Sequence, residues 1–591
     1  LNKAKAKEIA EKATMQSFLN CYLRETENYE WINPMETSYE TSEQSMLRIP
    51  LARQNSSIYV PVNYWSLTGR HIFDFPIYYK TDGLGEHQPL DYVTMTSLLV
   101  RECLIGNGQE FSEDELVLRV LLSCKKIKEY ITARYEDRHE LIDKEFSYIE
   151  AEQSLLFGHL MHPTPKSKQG LTDVQDRKYS PEYKGRFQLH YFSVCPELVD
   201  QDSTLKHSAA VCIFEDVKNT EGADQVVKEW NKGRYIIPVH PLQVSVVMEA
   251  QEVKSLLESG DLRYLGPAGK WFTATSSFRT LYSETSAYMY KFSVPVKITN
   301  SLRLNQPKEL ARGVEVARLL DTEVGEQMKR HHPQFHMIKD PASINIPLSE
   351  EASGFEVSLR ENPFEEDDKQ VSLVAGLVQD HPYGSYSRLS TIIRGLAEQE
   401  GRTMEEVSLA WFDQYLSISL EPILWLYHTY GMALEAHQQN SVVRLKEGYP
   451  VTFYYRDNQG YYFCQSKADQ LKKLLPSLNS KSDTICADDI AEERLRYYFF
   501  FNHLYGLING FGVSRLIDEE KLIDLLRIRL REHLPSSLVR NLLEEDKLPC
   551  KANLLTRLHD MDELVGPMEA QSVYTAVDNP LSAKAGVSNE R

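Results

Sequence analysis

From Tyr288 to Thr299 the chain alternates with a period of two. Tyr288, Tyr290, Phe292, Val294, Val296 and Ile298 interleave with Met289, Lys291, Ser293, Pro295, Lys297 and Thr299. Successive side chains of a strand point to opposite faces, so this pattern predicts a strand with one apolar face and one bearing Lys291, Lys297 and Thr299. The chain must therefore build a sheet here. The preceding run "TATSSFRTLY" is the natural partner strand, and a loop centred on Thr285 sets Arg279 opposite Lys291. Like charges opposed across a sheet repel, and an anion between them removes the conflict. Taken singly these are solvated heads, the usual fate of Lys and Arg. Ser277, Thr280, Thr299 and Arg303 in the same window favour an anion site.

A second stretch, "EAHQQNSVVRLKEGYPVTFYYRDNQG" (Glu435 to Gly460), reads as strand, turn, strand. A turn at Gly448-Tyr449 puts Asn440 across from Asp457 and gathers Glu435, His437, Asn440 and Asp457 at the hairpin's base. Two carboxylates, an amide and an imidazole suit a hard cation such as Mg²⁺ carrying a phosphate. An ordinary polar loop is the alternative. "HPTPKSKQG" adds His162, Lys166 and Lys168 in a loop that proline stiffens and glycine ends. His240 in "IPVHPLQ" lies between apolar residues and reads as structural, and Arg360-Glu361 in "SLREN" reads either as a ligand-orienting pair or, the favoured reading, as an ion pair.

With 591 residues the chain is too long for one core, and its formal charge of −19 argues against general binding to a phosphate backbone. Eight cysteines without a C-x-x-C pair fit reduced thiols. No apolar run reaches membrane-spanning length, so a soluble, cytoplasmic protein without membrane or nucleic-acid partners is expected. Residues 1–155 read as a largely helical N-terminal domain, 156–375 as strand-rich, and 376–591 as helix-rich around the hairpin, with a polar, frayed tail from Thr575. The class is α+β. There is no G-x-G-x-x-G, Walker A, G-x-S-x-G or H-E-x-x-H, so phosphate positioning and charge neutralisation are favoured over a covalent protein nucleophile.

"GHLMHPTPKSKQG", "SSFRT", "KFSVPVKITNSLR", "EAHQQN" and "YYRD" stand in the order and spacing of the IucA/IucC-type, NRPS-independent siderophore (NIS) synthetases, which the sequence resembles over nearly its whole length. Within that family "SFLNCYLRE", "IEAEQSLLFGHL" and "EEDKLPCKANLLTR" look most like the petrobactin-pathway member that joins citrate to spermidine. The resemblance implies a cupped hand of thumb, fingers and palm, commonly dimeric. It also implies ATP-dependent adenylation of a citrate carboxylate, followed by attack of a primary amine. By motif position His162, Lys166, Ser277, Arg279, Thr280 and Lys291 fall where ATP phosphates bind. Thr299, Arg303, His437 and Asn440 fall at citrate, and Glu435 and Asp457 at Mg²⁺, with Lys291, Arg279, His437 and Arg303 closest to the chemistry. Lys168 stands where the family often has arginine, and Leu160-Met161 where proline commonly follows the first histidine.

Arginine suits a carboxylate through two parallel hydrogen bonds, which favours Arg303 for citrate. The acidic run "FEEDD" (Phe364 to Asp368) is a candidate lining for a polyamine, against the plainer reading of a solvated charge run. Two other function classes compete. Glu435 and Asn440 have the spacing of a kinase catalytic loop, although "YYRDNQG" is not D-F-G. A non-catalytic siderophore- or iron-handling protein is the other.

Overall fold

The computed structural model describes residues 2–32, 45–81, 83–104, 113–299, 301–348, 352–384, 386–559 and 572–582. The class is α+β, as expected, with a strand-rich middle and a helix-rich C-terminal part. Among the described residues no helix is long and apolar enough to cross a membrane.

The N-terminal part combines long helices with strands, including ones at "SSIYVPVNYW" and "HIFDFPIYYK". The helices Lys3–Thr26, Tyr92–Leu104 and Glu113–Ala133 pack against strands that include Met46–Leu51, Ser56–Tyr64 and Tyr78–Thr81. Phe18, Tyr22, Leu47, Ile58, Leu99 and Val120 share that core with Leu554 and Leu558 from the C-terminal region. The tail is also more ordered than expected: Tyr574–Asp578 pairs with Lys547–Lys551, and Leu581 is buried. Its last stretch, 583–591, lies outside the described residues.

The middle of the chain forms an eight-stranded antiparallel sheet, in which Leu262–Ala274, Thr280–Tyr282, Tyr288–Phe292 and Val357–Glu361 run side by side. Two sequence expectations need correction here. Thr280, not Arg279, lies opposite Lys291, because the connecting loop is one residue out of the expected register. The alternating run is also not one strand. Tyr288–Phe292 stays in the large sheet, the chain leaves at Ser293 to Pro295, and Lys297–Ile298 joins a small sheet with Lys168–Gln169. Proline has no N–H to give a ladder, so Pro295 marks the exit. This break carries the Lys297 to Arg303 segment onto the proline loop. Thr299 N–H donates to the Ser167 carbonyl at 3.3 Å. Gly170 (φ +93°) permits the approach, since a Cβ there would stand 2.5 Å from the Pro295 oxygen.

In the C-terminal part the 27-residue helix Met404–Tyr430 packs on the predicted hairpin, Ser441–Lys446 with Tyr449–Arg456. The hairpin turns at Glu447-Gly448, both with positive φ (51° and 83°), rather than at Gly448-Tyr449. Two-residue turns of this hand match the twist of the strands and need a left-handed backbone at both positions. A bulge between Arg444 and Leu445 absorbs one residue, so Asn440 pairs through its backbone with Arg456 (3.0 Å) instead of Asp457. Gly448→Ala should lower stability by about 1–2 kcal/mol, whereas Glu447→Gly should be neutral or stabilising by up to about 1 kcal/mol. Urea unfolding of the two variants checks the pair, and equal losses would contradict the turn assignment.

A candidate active site between two sheets

A cavity of about 460 Å³ opens where the large sheet, the hairpin, the proline loop and the helical segment after Arg496 meet. The twelve residues that motif position assigns to ATP, citrate and metal line it: His162, Lys166, Ser277, Arg279, Thr280, Lys291, Thr299, Arg303, Glu435, His437, Asn440 and Asp457.

Lys291 reaches across from the large sheet to the hairpin's end. Its Nζ lies 3.6 Å from Asp457 Oδ1 and contacts Asn458 Oδ1. Burial, and after it the Arg279 guanidinium, lower the Lys291 ammonium to about 8. Burial also lowers Arg279, to about 10. Arg279 is held by the Leu304 carbonyl (2.9 Å) and Asn305 Oδ1 (3.0 Å). Burial alone would raise Asp457, but Lys291, Arg360 and His437 hold its carboxyl down at about 2. Backbone N–H groups of Asn458 (2.7 Å) and Gly460 (3.1 Å) add to this. Beside these charges the Thr280 hydroxyl is buried and, among the described residues, has no hydrogen-bond partner. Ser277 Oγ accepts the Thr280 N–H at 3.2 Å, which shapes the loop.

The segment before the hairpin supplies the opposite wall. Despite the shifted register, Asn440 Nδ2 still reaches Asp457 Oδ2 at 3.1 Å, and it also donates to the Glu435 carbonyl. Glu435 is raised to about 7 by burial and then by Asp457, and Tyr462 donates to its Oε2 at 3.1 Å. His437 is lowered to about 4, chiefly by burial, and its Nδ1 accepts the Gln439 and Asn440 N–H groups (3.2 and 3.3 Å). The neutral ring therefore carries its proton on Nε2.

On the third side, Arg303 donates to the Ile298 carbonyl and to Thr299 Oγ1, both at 3.2 Å. His162 Nδ1 accepts the Thr164 N–H at 3.1 Å. Lys166 is more constrained than a loop lysine would be. It pairs with Glu182 Oε1 at 2.5 Å, while Lys168 takes Oε2 at 2.8 Å. Glu182, which burial would raise, is held at about 2 by these two lysines. Lys168, left without a bidentate role from the sequence, is thus a buried structural partner that also lines the cavity.

Two readings of other motifs are settled by position. His240 is buried and caps a helix by accepting the Leu242 N–H. Arg360 forms a two-point pair with Asp340 at 2.6 and 3.0 Å. "FEEDD" does not line the cavity: Phe364 is buried elsewhere, Glu365 and Glu366 are exposed, and Asp367 pairs with Arg444.

The family model described as "IucA / IucC family" matches residues 147–379. Over 98% of its length and 99% of the relative's, the chain is 47% identical to the spermidine-citrate ligase of Bacillus anthracis. The chain belongs to the IucA/IucC family. It is also 35% identical to the rhizobactin siderophore biosynthesis protein RhbC of Rhizobium meliloti, over 96% of this chain and 97% of that one. The ATP-bound aerobactin synthetase IucA of Klebsiella pneumoniae superposes with a TM-score of 0.87 at 27% identity, covering 97% of this chain and 99% of that one. Membership of the family displaces the kinase-like alternative. A second model, "Ferric iron reductase FhuF-like transporter", matches residues 409–566. The cysteines of that stretch, Cys464, Cys486 and Cys550, are buried, and among the described residues no three His, Cys, Asp or Glu side chains converge as a metal cluster requires.

Relative to the family motifs, sequence reasoning passed over several residues of the cavity wall: Arg70, Gln439, Arg456, Tyr498 and Lys551. Arg456 directly precedes Asp457 in "YYRD". Tyr498 and its neighbours follow a π-helical register, Arg496–Leu504, which no 3.6-residue pattern reveals. Replacing Glu182 with Gln should leave two buried ammonium groups without their shared counter-charge and cost about 3–5 kcal/mol in urea unfolding. A loss below about 1 kcal/mol would show that Asp176, 3.5 Å from Lys168, suffices.

Proposed function

We propose that the protein activates a carboxylate of citrate with ATP and transfers the citryl group to a primary amine of spermidine, releasing pyrophosphate and then AMP. One observation carries the reading: Arg279, Lys291, Arg303, Glu435 and Asp457, drawn from separate segments, face one cavity in a chain 47% identical to a spermidine-citrate ligase. Spermidine as the amine is taken from that relative.

Joining a carboxylate to the α-phosphate brings two anions together, so the barrier is largely electrostatic. Arg279 and Lys291, fixed by the contacts above, supply positive charge with no reorganisation during the reaction. Ser277 and the partnerless Thr280 hydroxyl donate to the same phosphates, and His162 and the Glu182-tethered Lys166 flank them. Arg303 and Thr299 hold citrate carboxylates. Neutral His437 donates its Nε2 proton to one, and Asn440 fixes the neighbouring turn. A citrate oxygen bonds to the α-phosphorus as the bond to pyrophosphate breaks. The amine nitrogen then bonds to the acyl carbon as the bond to AMP breaks.

Glu435 and Asp457 would hold Mg²⁺. The fit rests on the donor set, two carboxyls lining one cavity, with Glu435 raised first by burial and then by the Asp457 carboxylate, a repulsion that a cation between them relieves. Two protein carboxylates with the nucleotide's own oxygens are the usual Mg²⁺ set. Bound there, the ion neutralises charge on the polyphosphate. The thumb (1–155), fingers (156–375) and palm (376–591) are part of the same proposal, supported by a buried cluster built mostly from the first stretch, which Leu554 and Leu558 join, and by another within the second.

Purified protein should catalyse citrate-dependent ATP–pyrophosphate exchange and form citryl-spermidine, read by mass spectrometry. ADP as product, or no exchange with citrate, would overturn the reading. Lys291→Ala or Arg279→Ala should depress exchange by about 100- to 1,000-fold, the scale for losing one preorganised charge or donor. Arg303→Ala should chiefly raise the citrate KM. Asp457→Asn should shift the Mg²⁺ titration to higher concentration, and an unchanged curve would remove Asp457 from the metal site.

A further inference from the structure

Four side chains around the cavity close into a ring. Arg456 directs Nε and Nη2 to the Gln439 carbonyl, at 3.1 and 2.8 Å. Its Nη1 meets Glu152 Oε1 at 2.6 Å and the Tyr148 hydroxyl at 2.5 Å. The other oxygen of Glu152 accepts both the N–H (2.9 Å) and the hydroxyl (2.7 Å) of Ser276. Gln439 Nε2 donates to that same Ser276 hydroxyl at 3.2 Å, which completes the circuit.

Three of the four members sit next in sequence to a residue of the proposed site: Ser276 beside Ser277, Gln439 beside Asn440, Arg456 beside Asp457. Glu152 itself does not line the cavity and is 1% exposed, so it touches neither substrate nor metal. Nothing about burying a carboxylate there helps the core, because taking it out of water is costly unless every lone pair is used. What the carboxylate does is tie the Ser276 loop of the large sheet to the hairpin strand carrying Asp457.

We propose that Glu152 is a positioning residue, whose two carboxylate oxygens fix the spacing between the Ser277–Thr280 loop and the Asp457 hairpin. This deepens the adenylation reading and rests on it for its kinetic part. A displacement of about 1 Å between groups acting on one phosphate costs about a hundredfold in rate. Glu152→Gln keeps the shape and one accepting oxygen, but turns an amide N–H₂ toward the Arg456 guanidinium or toward Ser276.

Two measurements on the full-length protein test this. In citrate-dependent ATP–pyrophosphate exchange, assayed well below the unfolding temperature and normalised to folded enzyme, Glu152→Gln should lower kcat about a hundredfold. The KM values for ATP and citrate should stay within about threefold. Adding Arg456→Gln should lower kcat little further, because both changes break one ring. In hydrogen exchange read by mass spectrometry, peptides over Ser276 and over His437 to Asn440 should lose protection together. The helix Met404–Tyr430 should stay unchanged. A variant with wild-type kcat, or additive losses in the double variant, would overturn the role, as would unaltered protection at both peptides. If wild-type protein shows no citrate-dependent exchange, the adenylation reading falls and the hydrogen-exchange result alone decides whether the ring couples the two segments.

Discussion

Lys291 lies in the large sheet and Asp457 just past the end of the hairpin strand Tyr449–Arg456, and each compensates part of the other's charge. Lys291 is buried and Asp457 largely shielded at the cavity wall, and a charge removed from water is costly unless an opposite charge and hydrogen bonds replace the solvent. Their 3.6 Å contact therefore does two things. It pins the hairpin against the large sheet, and it leaves Arg279 and the Thr280 hydroxyl aimed at space that an anionic ligand would fill. The rest of the cavity is arranged around this join: Arg360 with Asp340 behind it, Asn440 on the far oxygen of Asp457, Glu152 with Arg456 to the side.

Pairing of this kind recurs at the proline loop, where Lys166 and Lys168 share Glu182. In both places a buried lysine is paired with a carboxylate, and low local dielectric makes every such contact matter. It also explains why an acidic chain can hold a basic pocket. The formal net charge is −19, while the cavity wall gathers Lys and Arg from many separate stretches, among them Lys166, Arg279, Lys291, Arg303 and Arg456.

The break at Pro295 is equally consequential. Had the alternating run continued as one strand, Thr299 and Arg303 would have travelled along the sheet away from Ser277 and Arg279. By leaving the ladder, the chain bends Lys297–Ile298 onto Lys168–Gln169 and closes the proline loop over the same cavity. A residue that cannot donate a hydrogen bond thus sets where a citrate-binding arginine is proposed to stand.

Much of this was readable from the residues. Period-two alternation identifies the Tyr288 strand, the hairpin is legible in both its arms, and the charged residues of the ordered motifs, Lys297 apart, line one cavity. These depend on local periodicity, or on motifs whose order the chain itself displays. Register did not follow from sequence: Thr280 rather than Arg279 faces Lys291, and Asn440 pairs with Arg456, because a one-residue bulge or a shifted turn costs little locally and is decided by packing on the far side of each strand. Nor could the sequence show that Lys166 is tied to Glu182, or that Glu152 and Arg456, some three hundred residues apart, hold the two halves of the site together. Those contacts exist only where the sheets meet, and burial there, not residue type, turns ordinary surface charges into fixed ones.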